Sequence, residues 1–187
     1  MSEHNPWRKT GTKLIYENPW IRVREDQVIR PDGLPGIYGV VETKIAVGVL
    51  ALTPDLEVVL VGQYRYATDC YSWEIIEGGA ERNELPLVAI KRELQEEAGL
   101  IAHSWTQLGP EIHLSNCISN EVAILYLARD LEETTQTPEG TEVLTLRREP
   151  LEMCVRLVAD GSIKDSMSVI AIGRVAELLR NGELSNC

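Results

Sequence analysis

Three carboxylates, Glu93, Glu96 and Glu97, stand at i, i+3 and i+4 in a run from Leu85 to Ala98, where Leu87, Ile90, Leu94 and Ala98 recur at offsets of three and four. The spacing predicts a helix with an apolar stripe toward a core and the acids as neighbours along one flank. Like charges so placed repel, and they raise the cost of the helix unless something positive sits between them. A hard divalent cation with oxygen ligands answers that requirement. A solvated acidic face is the plain alternative for a Glu-rich helix. Glycines bracket the run. Gly78 and Gly79 suit a tight loop and close backbone approach, and Gly99 reads as the helix stop. Pro86 fits the first turn, where its missing N–H costs nothing. Leu85 is then a poor cap, with Asn83 or Glu84 left to compensate.

Taken whole, the stretch fits G-x5-E-x7-R-E-U-x-E-E-x-G-U, with U a bulky aliphatic, from Gly78 to Leu100 at every specified position. That pattern is the Nudix box, and the chain resembles the Nudix hydrolases; a match at so many fixed positions is far more specific than a lone glycine motif. The resemblance implies Mg2+ or Mn2+ as cofactor, with Glu93 and Glu97 as direct ligands and Glu96 bound directly or through water. It also implies that the peptide carbonyl of Glu77, just before the box glycine, joins the metal shell. Arg92 lies four residues before Glu96 and one before Glu93, so it is expected to orient the acids, with Glu84 as partner. In relatives that cleave ADP-ribose, the carboxylate that takes the proton from water sits on a loop downstream of the box. The matching loop offers Glu139, and also Glu142 unless that residue opens the next strand. Glu97→Gln is expected to cost turnover rather than fold, because an exposed acid contributes little stability.

Gln63 to Tyr66, then Trp73 and Glu74, and the segment Ser115–Glu121 resemble the pyrophosphatases of ADP-ribose and nucleoside diphosphate sugars within that family. Carried over, Arg65 is a phosphate contact, Glu74 a substrate or network contact, and Trp20 or Tyr64 a stacking surface. Core or interface packing is the plainer role for both aromatics. Two positions depart from the ADP-ribose pattern: Asn116 stands where a proline is usual, and Glu77 follows Ile75 and Ile76 where a small residue is usual. The group beyond the diphosphate therefore stays open. Hydrolysis of coenzyme A or of a dinucleoside polyphosphate is one rival reading, and a non-catalytic ligand-binding regulator is another. Such regulators usually lose box carboxylates, which this chain keeps.

The elements that must position these residues follow from periodicity and turn chemistry. Lys13–Tyr16, Trp20–Arg30 and Ile37–Glu42 read as strands of a small antiparallel sheet behind a poorly ordered lead over residues 1–10. Strands are expected at Ile45–Leu52, Glu57–Tyr66, Trp73–Ile76, Ile101–Leu108, Glu121–Arg129 and Glu142–Leu146, with a long polar loop at Asp130–Thr141. Helices are expected at Leu151–Ala159 and Ser166–Arg180. Periodicity alone gives a mixed α and β chain. The resemblance makes it an α/β (α+β) fold, an α/β/α sandwich with a mixed sheet, preceded by the small sheet. Residues 1–43 are expected to form a β-strand region for dimerisation and substrate support, and residues 44–187 the hydrolase domain.

Composition narrows the partners. Of 187 residues, 44% are hydrophobic and 25% charged, ordinary for a soluble domain, and no apolar run approaches a membrane span. The first residues hold no apolar segment of signal-peptide type, so cytoplasmic residence is the expectation. Cys70, Cys117, Cys154 and Cys187 are scattered and histidines number three, which argues against zinc or a disulfide framework. The net charge of −11 argues against a nucleic-acid partner. It also sets a problem for a phosphorylated small molecule, which acids repel unless metal reverses the local sign. A nucleoside diphosphate derivative, a homodimer, and neither nucleic acid nor membrane are the expected partners.

Overall fold

A computed structural model describes residues 4–137 and 143–184. The chain divides into two compact units, Met1–Lys44 with His113–Val122, and Ile45–Ile112 with Ala123–Cys187. In the first, β1 (Arg8–Glu17), β2 (Arg22–Ile29) and β3 (Pro35–Glu42) form an antiparallel sheet in that order. Strand β1 begins inside the expected disordered lead because β2 pairs with it from Arg8↔Ile29 to Glu17↔Arg22. The mid-chain segment returns to the edge of β3: Val41 N–H donates to Ile118 O at 2.8 Å, Asn120 N–H to Val41 O at 3.1 Å, and Tyr38 Oη to Cys117 O at 2.8 Å. Trp7 meets Tyr38 edge-on, centroids 5.4 Å apart.

The second unit carries a mixed sheet. Its strands are β4 (Ile45–Leu52), β5 (Glu57–Arg65), β6 (Cys70–Glu74), β7 (Ile76–Ala80), β8 (Leu100–Gln107), the two-residue β9 (Ile112–His113), β10 (Val122–Glu133) and β11 (Thr145–Pro150). The main order is β11-β5-β4-β10-β8, with β6 on β5 and β7 on β4. Only a crossover can make β4 and β10 parallel, and they are. Helices α1 (Pro86–Ala98), α2 (Leu151–Ala159) and α3 (Ser166–Arg180) complete the unit.

Strand β4 explains the layering. A strand buried on both faces reads as a continuous apolar run. Val47, Val49 and Ala51 share a core with Ala89, Ile90, Leu94 and Ala98 of α1. On the opposite face, a Cβ at Gly48 would meet Leu125, Ile75 and Met167, the last from α3. The sheet thus lies between α1 and α3, the expected α/β/α sandwich.

Several expected boundaries move where long-range pairing overrides local pattern. Tyr66 leaves the strand for a 3-10 turn over Tyr66–Thr68. The polar stretch from Asp130 to Glu133 stays in β10 because β8 pairs with it as far as Glu133↔Leu100. The last strand runs Thr145–Pro150, later than expected, along β5. Gly78 and Gly79 lie in strand β7, paired with Val47 and Ala46, and not in a tight loop. No helix among the described residues is long and apolar enough to cross a membrane.

Candidate active site

Helix α1 starts without help from a side chain: Leu85 is its N-cap and makes no capping bond. Glu84 turns back instead, accepting the Glu81 N–H at 2.8 Å. Gly99 ends the helix at φ 62°, ψ 37°, its N–H on Gln95 O at 2.9 Å. This left-handed conformation is one that side chains disfavour, so the expected stop has its reason.

The acids leave the helix in different environments. Glu93 and Glu96 keep 14% and 28% of their side-chain surface exposed. Glu97, expected on an exposed flank, is buried at 4%. The reason is arithmetic: it stands seven residues after Ile90 and three after Leu94, on the apolar stripe itself. Gly78 lets β7 approach this helix face, because a Cβ there would fall 2.2 Å from the Glu93 carboxylate.

Arg92 ties the group together. Its Nη1 donates to Glu93 Oε1 at 2.9 Å and Glu96 Oε2 at 2.8 Å. Nε and Nη2 reach Glu84 at 3.4 Å, and Nη2 also lies 3.4 Å from Gly79 O. Burial lowers the guanidinium pKa, but the bonds to Glu84 and Glu96 and the charge of Glu93 outweigh it, leaving the group above its ordinary value. One cation therefore spans the helix acids, the lead-in turn and strand β7.

A second polar group lies at the other end of β7. Arg65 Nε donates to both oxygens of buried Glu74, at 3.1 and 3.0 Å, and Nη2 donates to Oε2 as well. Glu77 Oε2 is 3.8 Å from Arg65 Nη2, and its Oε1 accepts the Ser168 hydroxyl at 3.2 Å. Burial first, then a hydrogen bond to Asp165 and the charges of Asp165 and Glu74, pushes the Glu77 carboxyl well above the usual carboxylate range against the pull of Arg65. Asp165 caps α3 by accepting Ser168 N–H at 2.7 Å, and Ser168 Oγ accepts Ile75 N–H at 2.9 Å. Sequence reasoning missed Asp165 and Ser168. Their spacing at a helix start signals a cap, but nothing local signals the bond to Glu77.

Of the other expected contacts, Tyr64 is exposed and its hydroxyl bonds Asp69 Oδ1 at 2.5 Å. Trp20 belongs to the N-terminal unit, where it is 72% exposed. Glu139 and Glu142 lie outside the described residues. A cleft of about 450 Å³ opens beside the end of α1, lined by Gly99, Glu133, Gln136, Arg147 and Arg148 among others. None of the helix acids lines it.

Among the described residues no three His, Cys, Asp or Glu side chains converge to hold a metal ion; the Arg92 guanidinium bridges Glu93 and Glu96. The donor chemistry nevertheless fits a hard divalent cation. Glu93, Glu96 and Glu97 offer carboxylate oxygens from one helix, with neither sulfur nor imidazole among them. The approach that Gly78 permits also leaves no side chain between the Glu93 carboxylate and the β7 backbone.

Residues 42–165 match the NUDIX domain. The chain belongs to the Nudix family. Ahead of this Nudix domain, residues 7–41 match the nucleoside diphosphate sugar hydrolase N-terminal domain. Similar proteins include the ADP-ribose pyrophosphatase of Mycobacterium tuberculosis, 28% identical over 92% of this chain and 84% of the relative. The ADP-ribose pyrophosphatase of Bacillus subtilis is 28% identical over 84% and 86%. The methanol dehydrogenase activator of Bacillus methanolicus is 29% identical over 86% and 88%. A crystal structure of an ADP compounds hydrolase shares the fold, with TM-score 0.81 at 22% identity, covering 95% of this chain and 97% of that one. By family the protein is a Nudix hydrolase.

Proposed function

We propose that this Nudix hydrolase cleaves the pyrophosphate bond of ADP-ribose or a nucleoside diphosphate sugar with Mg2+, Mn2+ serving as a substitute. The products are a nucleoside monophosphate and a sugar phosphate. The observation that carries the reading is the gathering of Glu84, Glu93 and Glu96 by Arg92 against strand β7. The names of the two ADP-ribose relatives and of the N-terminal match support the substrate class.

In this reading Glu93 and Glu97 would hold the cation, with Glu96 and the Glu77 carbonyl as further donors. When bound, the cation would neutralise charge on the diphosphate and lower the pKa of a water. The chain's own residues do the rest. Arg92 keeps the acids in register, and Gly78, Gly79, Glu84 and Gly99 shape the box around them. Arg65, fixed by Glu74 along one edge, takes a phosphate oxygen on the other, a use of the planar fork that Lys could not match. Water attacks one phosphorus, its proton passes to Glu139 or Glu142, and the bridging P–O bond breaks with the pair leaving on the second phosphate. Tyr64 or Trp20 stacks on the base. Residues 1–43 serve dimerisation and substrate support, and residues 44–187 are the hydrolase domain. Cytoplasmic residence belongs to the same reading and is supported by the free thiols of Cys70, Cys117 and Cys154.

The test is a panel of ADP-ribose, GDP-mannose, other nucleoside diphosphate sugars, NADH, coenzyme A and diadenosine polyphosphates, with products separated by chromatography. Turnover of one diphosphate sugar or ADP-ribose, abolished by chelator, is expected. Preference for coenzyme A or a dinucleoside polyphosphate, or silence with both metals from folded protein, would overturn the substrate class.

A further inference from the structure

We infer that Ser168, held by Asp165 at the start of α3, is a positioning residue for the box: it fixes the backbone at Glu77, immediately before Gly78. The inference rests on the reading above in which the Glu77 carbonyl is a metal donor.

The geometry is specific. Ser168 is fully buried, on the side of the sheet opposite α1. Its single hydroxyl accepts the Ile75 N–H at 2.9 Å and donates to Glu77 Oε1 at 3.2 Å. Those two partners bracket Ile76, the first residue of β7. The hydroxyl is itself held in place because Asp165 Oδ2 accepts the Ser168 N–H at 2.7 Å. A buried hydroxyl with both donor and acceptor roles filled has one rotamer to occupy. It therefore pins the chain entering the box from the face that carries no box acid. On the other face the helix acids approach the same strand, the Glu93 carboxylate lying where a Cβ on Gly78 would stand. A small shift of β7 would move the Glu77–Gly78 peptide relative to those acids, and no side chain at 78 buffers the change. Docking α3 on the sheet does not need this polar bond, since Met167, Ala171, Ile172 and Val175 already bury its apolar face. The hydroxyl does something that packing alone leaves undone: it couples α3 to the strand that enters the metal site.

The experiment compares Ser168→Ala and Ser168→Thr with Ile172→Val, which loosens the same helix through packing alone. For each, the Mn2+ dissociation constant is measured by electron paramagnetic resonance of the free ion, the midpoint Tm by calorimetry, and kcat and KM on the best substrate. Ser168→Ala should weaken Mn2+ roughly ten-fold or more, the usual cost of losing an outer partner of a metal site, and lower kcat more than KM. Ser168→Thr, which keeps the hydroxyl, should return Mn2+ affinity toward wild type. Ile172→Val should lower Tm and leave Mn2+ affinity unchanged. Should Ser168→Ala not fold, Glu77→Met removes the other end of the tether at similar volume and should lose Mn2+ affinity in its place. If the tether variants lower Tm with wild-type Mn2+ affinity, Ser168 is a structural cap only and the inference falls. Wild-type protein that binds Mn2+ but turns over no substrate would sink the substrate class and leave the positioning role to the Mn2+ constants. Wild-type protein that binds no Mn2+ would overturn both.

Discussion

Arg92 and Glu97 show how one helix gives neighbouring charges opposite tasks. Arg92 satisfies three acids and a β7 carbonyl at once, so Arg92→Lys, which keeps the charge, still removes the fork that joins them. Glu97 sits buried on the apolar stripe, where a charged carboxylate needs partners to offset its desolvation. Glu97→Gln keeps the shape and removes that charge. Turnover should fall more than about a hundred-fold, beyond the roughly 10–100-fold that an outer-shell partner costs, with an unchanged far-ultraviolet circular dichroism spectrum. A rate within about twofold of wild type would take Glu97 out of the metal site. Cys154 offers a test of burial by pH. Burial, with the charge of Glu149 adding and Arg147 opposing, pushes its thiol from 9.0 up to about 11. The folded state then keeps a proton that the unfolded chain gives up. The stability this contributes is complete below about pH 9 and is lost as pH rises through about 11. Thermal midpoints should fall across that window, and less steeply in Cys154→Ala.

Helix α1 carries the proposed metal-binding acids on an imperfect start. Leu85 is 69% exposed and caps nothing, whereas α3 begins on Asp165 with its side chain bonded to Ser168 N–H. The difference is consistent with a start fixed by Pro86 and by the Glu84 turn rather than by a cap. Leu85→Ser should therefore raise stability by about 1 kcal/mol in chemical denaturation, as a good N-cap does. A loss of stability would mean that the covered part of the leucine contributes more than a cap would. Strand β7 is the matching element on the sheet side. Gly78 is needed there for the close approach to α1, not for a turn, and Gly78→Ala would drive a methyl into the Glu93 carboxylate.

At the scale of the whole chain, the N-terminal unit displays Leu14, Ile15, Tyr16, Trp20, Leu34 and Ile37 at the surface. Exposed apolar side chains mark an interaction site when they form a contiguous patch, and the proposed homodimer would cover them. Light scattering at micromolar concentration should return the dimer mass, and Ile37→Glu should shift it toward the monomer. A monomeric wild type would remove the partner from the proposed substrate support.

What the amino-acid sequence determined by itself is the local part. The box helix, its glycine stop, the limits of α2 and α3, and the pairing of Arg92 with Glu96 all follow from offsets of three and four or from cap chemistry. These depend on residues within a turn or two of one another. What only the tertiary structure decided is every feature made by distant pairing. Gly78 and Gly79 became strand because β4 lies beside them. The segment around Ile118 joined β3 through backbone bonds that no side-chain pattern announces. Ser168 met Glu77 across 91 positions of chain. Glu97 lies between the two cases: its place on the stripe was countable from Ile90, but its charge pointed to solvent until the packing of α1 was known. Hydrogen bonds of the backbone carry no residue code, so the strand that enters the site, and what holds it, had to be read from the fold.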